Sequence, residues 1–278
     1  MKKGKKIAVI IIIILSSIVL LFFSHAYINA YFIEPLIVQK PVILNKYPIP
    51  AVLYKTGPLK DPPNEIQNLF KKIKQQNPDY KIKYYNDTQC RNFIEKNFDK
   101  KVVNAYDKLI PGSFKADLFR YCILYQNGGI YGDLSQTYLV PLNELVDRNH
   151  DVLVLVRDNL ISSFPQITKH AIQISFMAAQ PKLSIFRKAI EQIVENVKNN
   201  YYGSNPLAVT GPLLLRKILD TEDIPYRLEL ELRQGSIKNI NTGKSVIQIK
   251  LKNHNKFIKK NFKNAYYTKW YTRNIYKN

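Results

Sequence analysis

A chain of 278 residues with 46% hydrophobic side chains is long and apolar enough to bury a full core, in one large domain or two small ones. Its 42 Lys and Arg against 21 Asp and Glu give a formal charge of +21, which favours anionic partners: nucleotide diphosphates, acidic glycans, anionic lipid or nucleic acid. Cys90 and Cys122 are too few for a disulfide scaffold, and with no basic helix backed by heptads, no zinc-knuckle spacing and no RNA-binding aromatic motif, nucleic acid is not an expected partner.

The N-terminus carries a membrane signal. Ile7 to Phe23 is an uncharged run of seventeen residues behind Lys2, Lys3, Lys5 and Lys6, at the lower limit for crossing a bilayer. It lengthens through Ala26, Tyr27 and Ile28 if His25 sits at the interface. Lysines held on the cytoplasmic side make residues 1–6 a tail, 7–28 a single-pass type II anchor, and 29–48 a stem with Pro35, Pro41 and Pro48. Residues 49–278 then form one luminal domain, in the Golgi or another secretory membrane. Ser24-His25-Ala26 keeps a cleaved signal peptide open as the competing reading. Either way the body is translocated, and the sequon Asn86-Asp87-Thr88 is open to glycosylation in a eukaryotic host.

Ile49 to Lys55 reads as a first buried strand. Asp61 to Gln76 has helical period, with Ile66, Leu69, Phe70 and Ile73 on one face and a stop at Asn77-Pro78. Tyr80 to Tyr85 alternates as a second strand, and Asp87 is placed to cap a helix running through Phe98. Strand, helix, strand, helix is the doubly wound α/β order. The two cysteines read either as buried thiols or as one bridge in an oxidising lumen.

The stretch Phe114 to Ser135 concentrates the chemistry. Asp117 and Arg120 share a helix face, Gly128 and Gly129 supply a left-handed stop, and a short strand at Ile130-Tyr131 delivers Asp133. Ligands collect outside the carboxyl ends of strands in open α/β sheets, so this acid, base and second acid read as a polar ligand site. By spacing alone, Asp117 and Arg120 also fit a plain helix-surface pair. Downstream, Asp151 to Val156 and Ile172 to Ala178 read as strands. Leu183 to Val197 is an amphipathic helix with Phe186, Ile190, Ile193 and Val197 inward. Thr210-Gly211-Pro212 opens or interrupts the next helix, more simply a turn or cap than an acceptor contact. Asp158, His170 and His254 are candidate acceptor contacts.

From Ala116 to Asp133 the chain resembles, without a gap, the pattern ADLFRYxxLYxxGGIYxDxD of the DXD-containing glycosyltransferases, the family of fungal α-1,6-mannosyltransferases and inositol phosphoceramide mannosyltransferases. The second Asp of that motif is Ser135 here. The resemblance implies a GT-A-like, Rossmann-type nucleotide-sugar-binding fold. It assigns Asp117 and Arg120 to donor-sugar hydroxyls, Tyr131 to the sugar-pocket wall, and Asp133 to ribose or to a metal, with Asp133 and Arg120 as catalytic groups. The first strand is similar to the family's IPKxIHQxW segment, which implies nucleotide contacts at Leu53 and Tyr54, with Tyr54 for the His and Gly57 near the Trp. Thr268, Lys269 and Trp270 resemble the late loop that folds over the diphosphate in relatives, including the glucosylating domain of large clostridial toxins.

The implied activity is retaining transfer of a hexose from GDP-mannose or a UDP-hexose to a glycan or glycolipid, with a lipid membrane as a further partner. A divalent cation, Mn²⁺ or Mg²⁺, would lean on Asp133 because Ser135 is a neutral and weaker ligand. The alternative is direct neutralisation of the leaving group by Lys269 or a neighbouring lysine. A catalytically inactive sugar-nucleotide or glycan-binding relative is the second reading of the chain.

Overall fold

The apolar run after Pro50 forms β1 (Val52–Thr56), which lies between β2 (Lys81–Tyr85) and β3 (Gly129–Gly132) and parallel to both. This computed structural model describes residues 48–158, 171–249 and 266–277, all within one compact unit, Gln39–Asn278. The expected tail, anchor and stem up to residue 47 lie outside the described residues, as do His170 and His254. Among the described residues no helix is long and apolar enough to cross a membrane.

Helix α1 (Asn64–Gln76) links β1 to β2 and buries Ile66, Leu69 and Ile73 at helical spacing. Asn77 ends it: its Nδ2 donates to the Ile73 carbonyl at 2.9 Å, and its Oδ1 accepts from the Leu142 amide at 2.7 Å. Helix α2 (Asp87–Asn97) is capped by Asn86 and not by Asp87. Asn86 Oδ1 accepts from the Gln89 amide at 2.9 Å while Gln89 Oε1 accepts from the Asn86 amide at 3.0 Å, so two orphan donors are satisfied reciprocally. The sequon asparagine is therefore buried in a cap, which argues against a glycan at this position in the folded chain. Helix α3 (Lys100–Lys108) goes beyond the expected elements. Helix α4 (Gly112–Asn127) stops at Gly128, whose φ of +64° favours glycine. A Cβ at that position would also lie only 2.7 Å from the Pro181 nitrogen, which leaves no room for another residue.

Beyond β3 the sheet continues through β6 (Ala171–Ala179), β5 (Leu153–Asp158), β7 (Arg227–Arg233), β8 (Ser236–Asn239), β9 (Ser245–Gln248) and β4 (Thr137–Tyr138). The parallel, doubly wound order holds only for the first three strands. β6 runs antiparallel to both β3 and β5, because β3 leads into a tight turn and β4 instead of into the crossover helix that a parallel neighbour needs. β5 and β7 are again parallel, and β7 to β9 form an antiparallel meander.

Alternate side chains of the central strands feed two cores, one on each face, and an irregularity in β6 opposite Val154–Val156 puts Ile174 and Met177, three apart, in the same one. Tyr54, Tyr131, Ile174 and Met177 join α2, α3 and α4, together with α6 (Ser184–Lys198) and α7 (Pro212–Leu219). Leu53, Ile130, Phe176 and Ala178 join α1, α5 (Leu142–Leu145) and the meander. Cys90 and Cys122 are free, buried thiols in the first core.

Candidate active site

The site is built where α4 returns through Gly128 into β3 and the chain turns out of the sheet. Asp117 and Arg120 lie one turn apart on α4, facing the carboxyl end of β3, with Asp133 just past that end. Arg120 Nη2 is 3.2 Å from Asp117 Oδ1 and 3.5 Å from Asp133 Oδ1, so one guanidinium spans both carboxylates. Its other nitrogens are fixed by backbone: Nη1 donates to the Ile174 carbonyl of β6 at 2.6 Å, and Nε to the Ala116 carbonyl at 3.3 Å. The guanidinium carbon stands 4.5 Å from the centre of the Tyr131 ring, a cation–π contact. Asp117 Oδ2 in turn accepts from Thr210 Oγ1 at 2.8 Å.

Exposure divides the three residues by role. The side chains of Arg120 and Asp117 are 7% and 12% exposed, whereas that of Asp133 is 43% exposed. Asp117 and Arg120 form a rigid floor, and Asp133 is the accessible acceptor above it. Burial raises the Asp117 carboxyl to about 6 against the opposing pull of Arg120 and Thr210. Burial works to lower Arg120, but Tyr131, Asp117 and Asp133 outweigh it and hold the guanidinium firmly charged.

The turn from Asp133 to Gln136 is held from below by Lys55, which sits near the end of β1 beside β3. Its Nζ donates to the Asp133 carbonyl at 2.8 Å and to Tyr138 Oη at 3.2 Å, and sits 4.8 Å from the Tyr138 ring centre. Lys55 is wholly buried, and burial lowers its ammonium to about 7 in spite of the nearby Asp133 charge. Gly132 makes the packing feasible, since a Cβ there would come within 2.1 Å of Tyr138 Oη and 3.3 Å of Lys55 Nζ. Asp133 N donates to the Ser175 carbonyl of β6 at 2.9 Å, and Gln136 N closes the turn on the Asp133 carbonyl at 3.1 Å. Ser135 is buried, and its hydroxyl donates to the Ile249 carbonyl at 3.0 Å.

The structure thus brings Asp117, Arg120, Tyr131 and Asp133 into one cluster. Tyr131 lies under Arg120 and pairs its hydroxyl with Thr56 Oγ1 at 2.9 Å. Leu53 and Tyr54 are buried in the two opposite cores. Asp158 closes β5 and is buried. Lys269 and Trp270 belong to α8 (Tyr266–Tyr271), which packs against α4 and against the 3-10 turn Pro206–Ala208 ahead of Thr210. Trp270 Nε1 donates to the Tyr202 carbonyl at 2.6 Å. Thr268 is in the same helix, and its side chain lies outside the described set.

Two residues of the cluster lie beyond the site that the sequence suggests. Lys55 has a sequence signal, a lysine near the end of an otherwise apolar strand and close to a glycine, and Thr210 has one in the Thr-Gly-Pro helix start. Gly211 and Pro212 do open α7, while Thr210 itself reaches back to Asp117.

Residues 63–151 match the family described as the glycosyltransferase sugar-binding region containing DXD motif, and the matched span includes Asp117, Arg120 and Asp133. The chain is similar to the initiation-specific alpha-1,6-mannosyltransferase of Candida albicans, 37% identical over 79 residues, which is 28% of this chain and 20% of that protein. It is similar to the Saccharomyces cerevisiae protein of the same name, 35% identical over 75 residues, 26% of this chain and 15% of that one. An uncharacterized glycosyltransferase of Acanthamoeba polyphaga mimivirus is 33% identical over 73 residues, 26% of this chain and 29% of that protein. The alignments therefore span less than a third of each of these relatives. Among solved structures, the PaToxG glycosyltransferase superposes with a TM-score of 0.45 at 16% identity, covering 64% of this chain and 70% of that one.

Proposed function

Starting from a glycosyltransferase sugar-binding region at residues 63–151, we propose that this protein transfers a hexose from a nucleotide sugar to a glycan or glycolipid acceptor. The observation that carries the reading is the single guanidinium of Arg120 set between Asp117 and Asp133 at the carboxyl end of β3. A sugar presents several hydroxyls at fixed angles, and recognising them takes acceptors that do not move. Backbone and Thr210 contacts supply that rigidity.

In the reaction, the bond between the anomeric carbon and the diphosphate breaks, the electron pair leaves with the diphosphate, the acceptor oxygen bonds the anomeric carbon, and the acceptor's proton passes to the departing diphosphate. Asp133 accepts hydrogen bonds from the donor's ribose or sugar hydroxyls. Arg120 and Asp117 fix the sugar's orientation while positive charge develops on its ring. Similarity to named α-1,6-mannosyltransferases favours GDP-mannose, with a UDP-hexose as the competing donor, and favours retention of configuration. The same reading puts the chain in a Golgi or other secretory membrane, held by residues 7–28 with the body luminal. Its support is the apolar run behind the lysine cluster.

The matched family usually uses a divalent cation at its paired acids. The residues here fit that ion poorly. Asp117 is committed to Arg120 and Thr210, Ser135 is turned to a backbone carbonyl, and the described residues contain no cluster of three or more His, Cys, Asp or Glu that could hold a metal ion.

Donor hydrolysis and transfer by the purified full chain, across GDP and UDP sugars, tests the reading. Release of nucleoside diphosphate that is abolished in Asp133→Asn supports it. Binding of a nucleotide sugar with no turnover on any acceptor would favour the inactive relative, and no binding at all would remove the reading.

A further inference from the structure

The position where the family motif has its second carboxylate is used differently in this chain, and the difference is coupled to a second cation. We propose that Asp133 is neutralised by protein cations, Arg120 beside it and Lys55 beneath its turn, and serves as a hydrogen-bond acceptor for the donor instead of as a metal ligand. The inference rests on the transferase reading and specifies how that site handles charge.

Three observations converge on it. Arg120 Nη2 lies 3.5 Å from Asp133 Oδ1, close enough to compete with any cation for that oxygen. Lys55 Nζ is anchored 2.8 Å from the Asp133 carbonyl, the same backbone oxygen that closes the turn with Gln136. Ser135 Oγ donates its proton to the Ile249 carbonyl, tying the turn to the end of β9 and drawing the side chain inward.

The balance of charge points the same way. Asp117 and Asp133 bring two negative charges; Arg120 brings a permanent positive one, and Lys55 brings a second below about pH 7, where its buried amine holds a proton. A hard divalent ion gathers several oxygen ligands and favours anionic ones. It would meet a compensated cluster offering one accessible carboxylate, with a guanidinium already on it. Lys55 is a positioning residue in this arrangement, because it is wholly buried and reaches the donor only through Asp133 and its turn.

The pairing of Lys55 with Ser135 is the informative part. A lysine ammonium folded under the motif turn would oppose a metal bound above it, and a serine facing inward cannot complete the metal's oxygen shell. Each residue alone has a structural explanation. Together they replace a carboxylate by a hydroxyl and place, below about pH 7, an ammonium at the same turn.

The test measures binding, independent of turnover. At about pH 6.5, where Lys55 holds its proton, GDP and UDP affinities of the full chain are determined by calorimetry in EDTA and in excess Mn²⁺, and Mn²⁺ alone is titrated by its electron paramagnetic resonance signal. The expected result is nucleotide affinity that changes by less than about twofold with Mn²⁺, and no protein-bound Mn²⁺ in the absence of nucleotide. Tightening of about tenfold or more by Mn²⁺ that disappears in Asp133→Asn would overturn the proposal, as would stoichiometric Mn²⁺ binding to the free protein. In Lys55→Gln, checked for folding by its thermal transition, a Mn²⁺ response should emerge that the unmodified protein lacks. If none emerges, Lys55 has no part in excluding the ion. If neither nucleotide binds under any condition, the transferase reading fails, and the Mn²⁺ titration still decides whether Asp133 holds a metal.

Discussion

Thr210 Oγ1 donates to Asp117 Oδ2 at 2.8 Å, joining residues 93 positions apart in the chain and linking the start of α7 to the middle of α4. The bond is buried, so Asp117 has one oxygen on Thr210 and the other on Arg120. Thr210→Val keeps the shape and removes the donor. The expected outcome is a loss of about 1–3 kcal/mol in chemical denaturation, with weakened donor binding, because a buried carboxylate is left short of a partner. Thr210→Ser should restore most of both.

Arg120 serves two carboxylates and two backbone carbonyls and lies over the Tyr131 ring. Arg120→Ala removes the bridge between the two acids and strands Asp117 in a buried site. A destabilisation of about 3–5 kcal/mol follows, together with loss of donor turnover. Arg120→Lys should rescue part of the stability and little of the activity, since an ammonium cannot reproduce the planar fork. Equal recovery of both in the lysine variant would contradict the role given to the fork.

Stability should depend on pH through Lys55. Its folded-state value, about 7, lies below the ordinary 10.5, so the folded protein holds fewer protons here than the unfolded chain between those limits. This group's contribution is therefore present above 10.5 and lost as pH falls through about 7. From pH 7 upward, the unfolding free energy should rise by up to about 1.4 kcal/mol per pH unit more than in Lys55→Met. Asp117 acts in the acid range with its own sign: raised to about 6 from 3.8, it contributes fully below 3.8 and is lost as pH rises through about 6. Parallel pH profiles for the protein and Lys55→Met would show that Lys55 stays charged in the fold.

Gly132 has no alternative occupant. A methyl group there would meet Tyr138 Oη at 2.1 Å and Gln136 Oε1 at 2.9 Å. Gly132→Ala should cost about 1–3 kcal/mol and disturb the Asp133 turn. The check is a denaturation midpoint combined with nucleotide affinity, both of which should fall.

The strongly periodic elements were legible from sequence, and the non-local ones were not. Ile66, Leu69 and Ile73 mark α1, and Phe186, Ile190, Ile193 and Val197 mark α6, because each helix shows its core one face at constant spacing. The placing of Asp117, Arg120 and Asp133 together was also readable, since a helix, a glycine stop and a short strand are local devices. Lys55 and Thr210 were hidden by distance: each enters the cluster through a neighbour 78 or 93 residues away. Helix α3 is nine residues long, and the β7 to β9 meander has short strands with partly exposed faces, so neither carries a long periodic signal. The cap of α2 went to Asn86 because its partner Gln89 completes a box that Asp87 cannot form.

The central claim is that Asp117, Arg120 and Asp133 together hold a sugar nucleotide. Its most direct test is saturation-transfer NMR of GDP-mannose and UDP-glucose with the full chain and with Asp133→Asn. The expected result is transfer to the hexose and ribose protons of at least one donor, lost in the variant while its fold is retained. Transfer that is absent for both donors, or unchanged in Asp133→Asn, would contradict it.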